Sequence, residues 1–298
     1  MLGLGLIGGS VLRAASAAGW RAWGCNRTPV HAPGYDIADD MSVVLRRAVA
    51  DDALVVLAVP MTALAEVLGV VAEHAPGCAL TDVVSVKRPV AELVRRAGLG
   101  ARFVGGHPMA GTSASGWDAG SAGLFTGAAW MVAADDGVDP DVWVQVAGLA
   151  LACGAHVVPA GSAEHDAAVA RISHLPHLLA AVLASVGADG GPLAMGLAAG
   201  SFRDGTRVAG TRPELTAAMV EANAAALRDV LDDALGRLGA ARGALTSTGS
   251  VAATVAAGHA ARRLFDDRRA FDITGVDLRD VAALRAAGHA GGVLRSLA

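Results

Sequence analysis

Residues 3–10 read Gly-Leu-Gly-Leu-Ile-Gly-Gly-Ser, a G-x-G-x-x-G turn that decides the fold. A helical stretch covers 10–18, and a strand-like run at 20–24 follows at the spacing expected of a β-α-β unit. The glycines permit a tight turn, close approach of a pyrophosphate to the backbone, and tight packing of helix on strand. The helix N-terminus adds the positive end of its dipole. The predicted contacts to a dinucleotide cofactor are Gly3, Gly5, Leu6, Ile7 and Gly8.

The strand before this turn is expected to be clipped. Only Met1 and Leu2 precede Gly3, whereas a turn of this kind follows a full strand. A central strand that lacks about 3 to 5 residues leaves its neighbours without ladder partners. We therefore expect the natural start of the chain to lie upstream.

The position that separates NAD from NADP holds Asn26 and Arg27. Folds that bind NAD place an acid here, about twenty residues past the glycines, which accepts hydrogen bonds from the diol of the adenosine ribose. A guanidinium pairs instead with a 2′-phosphate, so these residues favour NADP. Stacking of Arg27 on the adenine would suit either cofactor, and NAD stays open. Val59 and Pro60, at the end of a later predicted strand, complete the predicted cofactor contacts.

Short β-branched runs alternate with helical stretches in the first half of the chain, a pattern typical of a parallel sheet covered by helices. The predicted strands are 20–24, 53–59, 79–84, 102–104, 130–133 and 156–159, with helices at 42–50 and 63–74. After about residue 159 the strand signals stop, and helical stretches follow at 162–183, 192–199, 213–238, 251–265 and 277–287. The sequence therefore predicts a doubly wound α/β domain over 1–160 and an all-α domain over 161–298.

The composition restricts the class of protein. The 298 residues are 53% hydrophobic and carry a net charge of −4 without a basic tract, which disfavours nucleic acid as a partner. Long charge-free runs such as 172–188 are interrupted by serine, histidine and proline, and no basic leader opens the chain, so a cytoplasmic protein outside the membrane is expected. The cysteines, Cys25, Cys78 and Cys153, lie far apart and predict buried thiols rather than a metal site.

A second glycine-rich stretch, Gly-Gly-His-Pro-Met-Ala-Gly at 105–111, follows the short strand predicted over 102–104. Pro108 fixes its own φ and biases His107 toward an extended conformation, so the imidazole is held in place. Glycines beside it admit close approach of a ligand. Because histidine titrates near neutral pH, His107 is predicted to meet a substrate, and a tight turn is the alternative.

Lys87 is the single lysine among 24 basic residues, so arginine serves wherever a generic cation suffices. It ends the segment Thr-Asp-Val-Val-Ser-Val-Lys at 81–87, which continues from a predicted strand. An ammonium is a compact point charge with three donors and differs from a planar guanidinium. We therefore predict a specific role for Lys87, with a remnant of biased composition as the alternative.

The helical half carries a further polar cluster, Glu-His-Asp at 164–166 followed by Ser-His-Leu-Pro-His at 173–177. On a regular helix Asp166, Ser173 and His177 fall near one face, while His174 points about 100° away. Further along, Arg203 and Asp204 are predicted to form a structural ion pair, which leaves Arg207 to receive an anion. His174 and His177 lie three residues apart beside acids, which is a spacing for metal ligands, but no other residues show such spacing, so a metal is not expected.

Together these segments resemble the prephenate and arogenate dehydrogenase family over nearly the whole chain. The match rests on the turn at 3–10, the Ser-Val-Lys segment, the histidine motif continuing through Thr112, Ser115 and Gly116, the motif at 173–177, and 202–207. The resemblance implies a Rossmann-like domain joined to a helical dimerisation domain, a homodimer, and an active site in the cleft between the domains.

The resemblance also implies the reaction. Prephenate would be oxidised at its ring carbinol by hydride transfer to NADP or NAD and would lose its ring carboxylate as CO2, giving 4-hydroxyphenylpyruvate for tyrosine biosynthesis. His107 would accept the hydroxyl proton, and Ser85 would orient the hydroxyl and the nicotinamide. Arg207 would bind a substrate carboxylate, and Ser173 and His177 the side-chain end. The other matched residues are Gly200 at the substrate and Lys87, His174 and Asp204 in support.

Rival functions remain at this stage. An arogenate dehydrogenase would give tyrosine directly, and a 3-hydroxyacid dehydrogenase shares the same two-domain plan. A regulator that binds NADP without turnover is the alternative outside enzymes. Such a regulator has no use for His107, Ser173, His177 and Arg207 together, so prephenate dehydrogenase is the predicted function.

Overall fold

The computed structural model describes residues 1–112 and 114–297. The chain divides into two compact units, one formed by Met1–Asp166 with Phe271–Ala298 and a helical unit formed by Ala167–Ala270. The strands are β1 (Trp23–Cys25), β2 (Asp36–Ala38), β3 (Val55–Leu57), β4 (Leu80–Asp82), β5 (Phe103–Val104), β6 (Gly106–Pro108), β7 (Ala129–Ala133), β8 (His156–Ala160), β9 (Phe271–Asp272) and β10 (Gly292–Val293).

The helices fall into the same two groups. Those before residue 167 are α1 (Leu6–Ala17), α2 (Met41–Ala50), α3 (Met61–His74), α4 (Arg88–Arg96), α5 (Pro140–Ala152) and α6 (Ser162–Val169), the last of which reaches three residues into the helical unit. Those of the helical unit are α7 (Leu175–Asp189), α8 (Gly191–Leu197), α9 (Gly200–Thr206), α10 (Pro213–Ala222), α11 (Ala224–Thr248) and α12 (Ala252–Asp266). The last helix, α13 (Val281–His289), lies in the C-terminal segment that belongs to the first unit.

A parallel sheet of five strands and Leu2 forms the centre of the first unit. Leu2 bridges Cys25 in β1 and Leu57 in β3, so this buried residue stands in the place of a first strand. β2 pairs with β1 on one side, and β4 and β5 continue from β3 on the other. With Leu2 counted as strand one the order is 3-2-1-4-5-6, the order of dinucleotide-binding sheets. The predicted doubly wound fold is confirmed.

Alternating side chains of β3 enter two different cores. Val56 packs into a cluster with Trp130 and Trp143, whereas Val55 and Leu57 pack into a second cluster with the leucines of α2 and α3. This alternation is what a strand covered on both faces requires. β7 belongs to a second sheet, antiparallel to β6 and parallel to β8.

The C-terminal residues differ from the prediction, which assigned all of 161–298 to the helical domain. Residues after 270 join the first unit. β9 pairs with β10, and Leu294 bridges Val157 of β8. A Cβ on Gly288 in α13 would lie 1.9 Å from the Pro159 carbonyl oxygen, which shows how closely this helix packs on β8. Strands of two residues are too short to produce a period, so the sequence pattern missed them.

A π-helical segment, Ala170–His174, joins α6 to α7. Its wider turn interrupts the regular 3.6-residue spacing on which the predicted shared face of Asp166, Ser173 and His177 depended. Pro176 lies in the first turn of α7, where a proline is tolerated. π segments occur often at functional sites, and this one carries Ser173.

Candidate active site

His107 lies in the middle of β6, directly opposite Met131 of β7, and is half-buried. The glycine before it has no room for a side chain, since a Cβ on Gly106 would lie 2.8 Å from the Asp82 carbonyl oxygen and 3.0 Å from the indole nitrogen of Trp130. The missing side chain at Gly106 therefore leaves room for two groups of the protein itself, the Asp82 carbonyl and the Trp130 indole. The histidine is held by a strand on one side and a buried loop on the other.

The Lys87 ammonium and the Asp82 carboxylate form a buried ion pair that is hydrogen-bonded to this strand. Lys87 Nζ donates to the Gly106 carbonyl oxygen at 2.5 Å, and the Gly106 amide donates to Asp82 Oδ1 at 3.3 Å. Both backbone groups of the residue before His107 are thus satisfied by one ion pair. The sequence predicts a specific role for Lys87 without saying which, and the structure places its ammonium in this ion pair.

Burial acts on the two charges in opposite directions. Burial lowers the pKa of Lys87 and raises the pKa of Asp82, and the attraction between the partners opposes both shifts. The Asp82 carboxylate also accepts the Val84 amide at 2.9 Å. Because neither group reaches solvent, each depends on the other for its charge.

A second set of hydrogen bonds starts from the ring of His107. Its Nδ1 lies 2.8 Å from Nε2 of His165, and the two rings meet edge to face with centroids 5.0 Å apart. His165 Nδ1 lies 2.9 Å from Asp166 Oδ1. His165 and Asp166 are both buried, so this row of three side chains runs inward from the half-buried histidine.

The inner end of the row is anchored by backbone amides at the start of α4. The Lys87 amide donates to Asp166 Oδ1 at 2.8 Å, and the Arg88 amide donates to Oδ2 at 2.9 Å. Burial by itself would raise the pKa of Asp166, but the hydrogen bonds from His165 and from these amides outweigh it and lower the pKa. Asp166 is therefore a carboxylate with fixed donors around it.

The predicted dinucleotide turn forms the link from Leu2 to α1. Gly3 has a φ of +96°, and a Cβ there would lie 2.5 Å from the Ala58 carbonyl oxygen. A Cβ on Gly8 would lie 2.1 Å from the Gly3 carbonyl oxygen, whereas one on Gly5 would meet nothing within 4 Å. No side chain caps α1 at its N-cap, Gly5. The open space at Gly5 and the uncapped helix fit a pyrophosphate, with Leu6 and Ile7 in the first turn.

Asn26 and Arg27 lie directly after β1, where the sequence places them. Asn26 Oδ1 accepts the Leu4 amide at 2.9 Å, so this residue ties the glycine turn to the end of β1. Arg27 is exposed and forms no ion pair with any other described residue. Val59 lies against the turn, with its Cγ1 3.0 Å from the Cβ position of Gly3, and Pro60 is the N-cap of α3. These residues fit a nicotinamide dinucleotide.

In the helical unit, His177 and Arg207 interact electrostatically. Burial lowers the pKa of His177, and the positive charge of Arg207 lowers it further. His177 Nδ1 is buried without a hydrogen-bond partner among the described residues. Arg207 is exposed and has no ion-pair partner in the described part of the chain. An orphaned nitrogen near an unpaired guanidinium is suited to an anionic, hydrogen-bonding ligand.

The remaining predicted residues are distributed between the two units. Ser85 lies in the loop between β4 and α4, and Gly200 opens α9. His174 is buried and its Nδ1 lies 3.1 Å from Nδ2 of Asn223, which suits a supporting role. The predicted ion pair between Arg203 and Asp204 is wrong: both side chains are exposed on α9, and within residues 1–112 and 114–297 they form none.

The sequence does not single out Asp82, His165 or Asp166 as site residues. Asp82 appears only as part of the segment before Lys87, and the acidic histidine cluster at 164–166 appears only as a polar feature. The sequence did carry a signal for them. A charged residue that lies at the end of an apolar strand or beside a histidine is rarely buried unless it has a partner, so a partner for each could have been expected. Their partners, however, lie far away in the chain.

Comparison with known proteins identifies both halves of the chain. The family model of the prephenate dehydrogenase nucleotide-binding domain matches residues 31–159, and that of the prephenate dehydrogenase dimerization domain matches residues 161–285. A crystal structure of a candidate prephenate dehydrogenase from Corynebacterium glutamicum is 44% identical, with a TM-score of 0.92 over 98% of this chain and 97% of that one.

Two curated relatives are similar at lower identity. The prephenate dehydrogenase of Bacillus subtilis is 33% identical over 237 residues, 72% of this chain and 61% of the relative, so the match spans about three fifths of that protein. The cyclohexadienyl dehydrogenase of Zymomonas mobilis is 31% identical over 270 residues, 83% of this chain and 88% of the relative.

Proposed function

The chain belongs to the prephenate dehydrogenase family, and from that premise we propose that it catalyses the oxidative decarboxylation of prephenate to 4-hydroxyphenylpyruvate and CO2, with NADP or NAD as the hydride acceptor. The observation that carries the proposal is the hydrogen-bonded row behind His107, in which an imidazole is backed by His165 and the Asp166 carboxylate. Such a row supports a general base, which a binding module does not need.

His107 accepts the proton of the ring hydroxyl as the carbinol carbon is oxidised. An imidazole is suited to this step because its pKa lies near working pH, and proton transfer of this kind contributes about 10² to 10⁴ in rate. The nicotinamide, when bound, takes up the hydride from that carbon. Ser85 orients the hydroxyl. Loss of the ring carboxylate as CO2 sends the electron pair of the broken bond through the ring to its oxygen, and His107 returns the proton to that oxygen, which leaves an aromatic phenol.

Substrate carboxylate and side-chain groups are assigned to the helical unit. Arg207 binds a carboxylate, because its guanidinium has no ion-pair partner among the described residues. His177 supplies its orphaned Nδ1 to a polar group of the substrate, and Ser173 and Gly200 complete the contacts. An anion bound to Arg207 would offset the positive charge that now lowers the pKa of His177.

NADP is the favoured cofactor. The place of the ribose-binding acid is taken by Asn26, which is engaged with the Leu4 amide, and by the exposed Arg27. Arg27 is thereby available to a 2′-phosphate. Lower Michaelis constants for NAD than for NADP would overturn this preference without touching the reaction itself.

The exposed apolar surface of the helical unit supports a homodimer. Large apolar side chains there are exposed by half or more, among them Ile172, Val182, Val186, Leu193, Leu197, Leu235, Leu238, Leu245, Val255 and Leu264. Soluble monomers rarely expose so much apolar surface. By length and composition residues 162–189 would also suit a membrane span, but Asp166 near their start is buried in hydrogen bonds to Lys87 and Arg88. Light scattering should give a particle of two chains, and a monomer would contradict the dimer.

The function is tested by crossing two substrates with two cofactors. Purified protein is given prephenate or arogenate with NADP or NAD, and reduced cofactor, CO2 and the aromatic product are quantified. We expect prephenate to yield the three products in equal amounts. Tyrosine formed from arogenate in preference would identify an arogenate dehydrogenase, and cofactor binding without reduction on either substrate would identify a regulator.

A further inference from the structure

We propose that His165 and Asp166 are positioning residues that fix the tautomer of His107, with the proton on Nδ1 and the basic lone pair on Nε2. The inference concerns how the histidine is prepared, and it rests on the proposed function only for the identity of the substrate. His165 and Asp166 do not touch the reacting atoms in this account. They act through the ring of His107.

The Asp166 carboxylate only accepts hydrogen bonds. Its two oxygens already receive the Lys87 amide at 2.8 Å and the Arg88 amide at 2.9 Å. Burial by itself would raise the pKa of Asp166, but the hydrogen bonds that it accepts outweigh burial and lower this pKa, so the group is an ionised carboxylate. His165 Nδ1, 2.9 Å from Oδ1, must therefore carry a proton and donate it to the carboxylate.

A neutral imidazole has one N–H and one nitrogen lone pair. With its proton committed to Asp166, His165 has only the lone pair of Nε2 to offer its other neighbour. That neighbour is His107 Nδ1, 2.8 Å away. Two lone pairs would repel at this distance, so His107 Nδ1 carries the proton and donates it.

In neutral His107 a proton on Nδ1 leaves Nε2 as the proton acceptor. After the ring hydroxyl of the substrate gives its proton to Nε2, His107 is an imidazolium. Its Nδ1–H still points along the row toward the charge of Asp166. Both the resting tautomer and the charged product are thus favoured by the same two hydrogen bonds.

The shape of the site explains why this row is needed. The backbone on the N-terminal side of His107 is fixed by the Lys87 ammonium and the Asp82 carboxylate, but a fixed backbone does not choose which ring nitrogen is protonated. Only a partner on the ring makes that choice. His165 is buried, so water does not compete with it for His107 Nδ1.

The tautomer is read directly by long-range ¹H–¹⁵N correlation spectra of histidine-labelled protein without substrate, at a pH where His107 is neutral. His107→Asn identifies the signals. We expect a protonated Nδ1 and an unprotonated Nε2 in the wild-type protein. A protonated Nε2 with an unprotonated Nδ1 would overturn the proposal. This experiment needs no variant of His165, so a folding defect cannot obscure it.

The effect on catalysis is measured with His165→Phe, which keeps a buried ring but removes both ring nitrogens. We expect kcat to fall at least about tenfold while KM changes less than about threefold, and the Nε2-protonated tautomer of His107 to appear. His156→Phe, the same change at a partly buried histidine of β8, is the matched control and should leave both readouts unchanged. An unchanged tautomer in His165→Phe would contradict the assignment.

The two proposals fail in different ways. If the wild-type protein oxidises no cyclohexadienyl substrate, the proposed function fails, while the spectrum of the substrate-free protein still decides the tautomer. If turnover is present but the tautomer is the opposite one, the function stands and the positioning role is wrong.

Discussion

His107 in the first unit belongs to a continuous set of buried hydrogen bonds, whereas Arg207 in the helical unit is exposed and forms no ion pair with any other described residue. His177 of the helical unit also has an unsatisfied polar atom, since its Nδ1 is buried without a hydrogen-bond partner among the described residues. Groups with their hydrogen bonds complete are rigid, and groups with bonds missing gain them when a ligand binds. The first unit therefore presets a proton acceptor, and the helical unit leaves its bonds for the substrate to complete.

The largest effect is expected from breaking the buried ion pair of the first unit. Lys87→Met leaves the Asp82 carboxylate buried without its partner and should lower the free energy of unfolding by about 3 to 5 kcal/mol. Urea denaturation followed by circular dichroism measures it. Adding Asp82→Asn removes the unpaired charge while keeping an acceptor for the Gly106 amide, and should recover part of the loss.

The control for this prediction is an ion pair outside the site. Arg95 and Glu92 of α4 lie 2.8 Å apart on the surface, and Arg95→Ala should leave the unfolding midpoint unchanged. If Lys87→Met were as stable as this control, the ion pair would not be what holds the strand of His107.

A smaller effect is expected in the glycine turn, where Gly8 is packed against the backbone of the protein and Gly5 faces open space. Gly8→Ala places a Cβ 2.1 Å from the Gly3 carbonyl oxygen and should destabilise the fold by about 1 to 3 kcal/mol. Gly5→Ala meets nothing within 4 Å and should unfold like the wild type, yet raise the dissociation constant for NADP about tenfold or more. Thermal unfolding with and without NADP separates the two outcomes.

This pair of variants tests whether the open space at Gly5 belongs to the cofactor. Unchanged NADP binding in Gly5→Ala would show that the dinucleotide does not approach the backbone there. A loss of stability in Gly5→Ala equal to that in Gly8→Ala would instead show that the turn itself is strained at both positions.

The fold was predictable from the sequence wherever an element was long or its turn chemistry strict. The glycine turn at 3–10 and four of the five strands of the parallel sheet follow from local patterns, whereas β2 was not predicted. β9 and β10 were missed because each has two residues, and α5 was missed because its apolar residues do not keep to one face. With β9 and β10 unseen, the return of residues after 270 to the first unit was also unpredictable.

The site was predictable where one residue carries its own signal. His107 between glycines and a proline, and Lys87 as the single lysine, are visible in the sequence alone. His165 and Asp166 were not assigned, because their partners His107 and Lys87 lie 58 and 79 residues away in the chain. Pairing over such separations leaves no local pattern, so only the fold reveals it.

The contrast between preset chemistry and ligand-completed binding is tested most directly by the kcat and KM of two variants with prephenate. His107→Asn should lower kcat at least about 10²-fold with KM within a few fold, whereas Arg207→Gln should chiefly raise KM, and Arg203→Gln, four residues earlier, should change neither. Full turnover in His107→Asn, or a fall in kcat with unchanged KM in Arg207→Gln, would contradict the account.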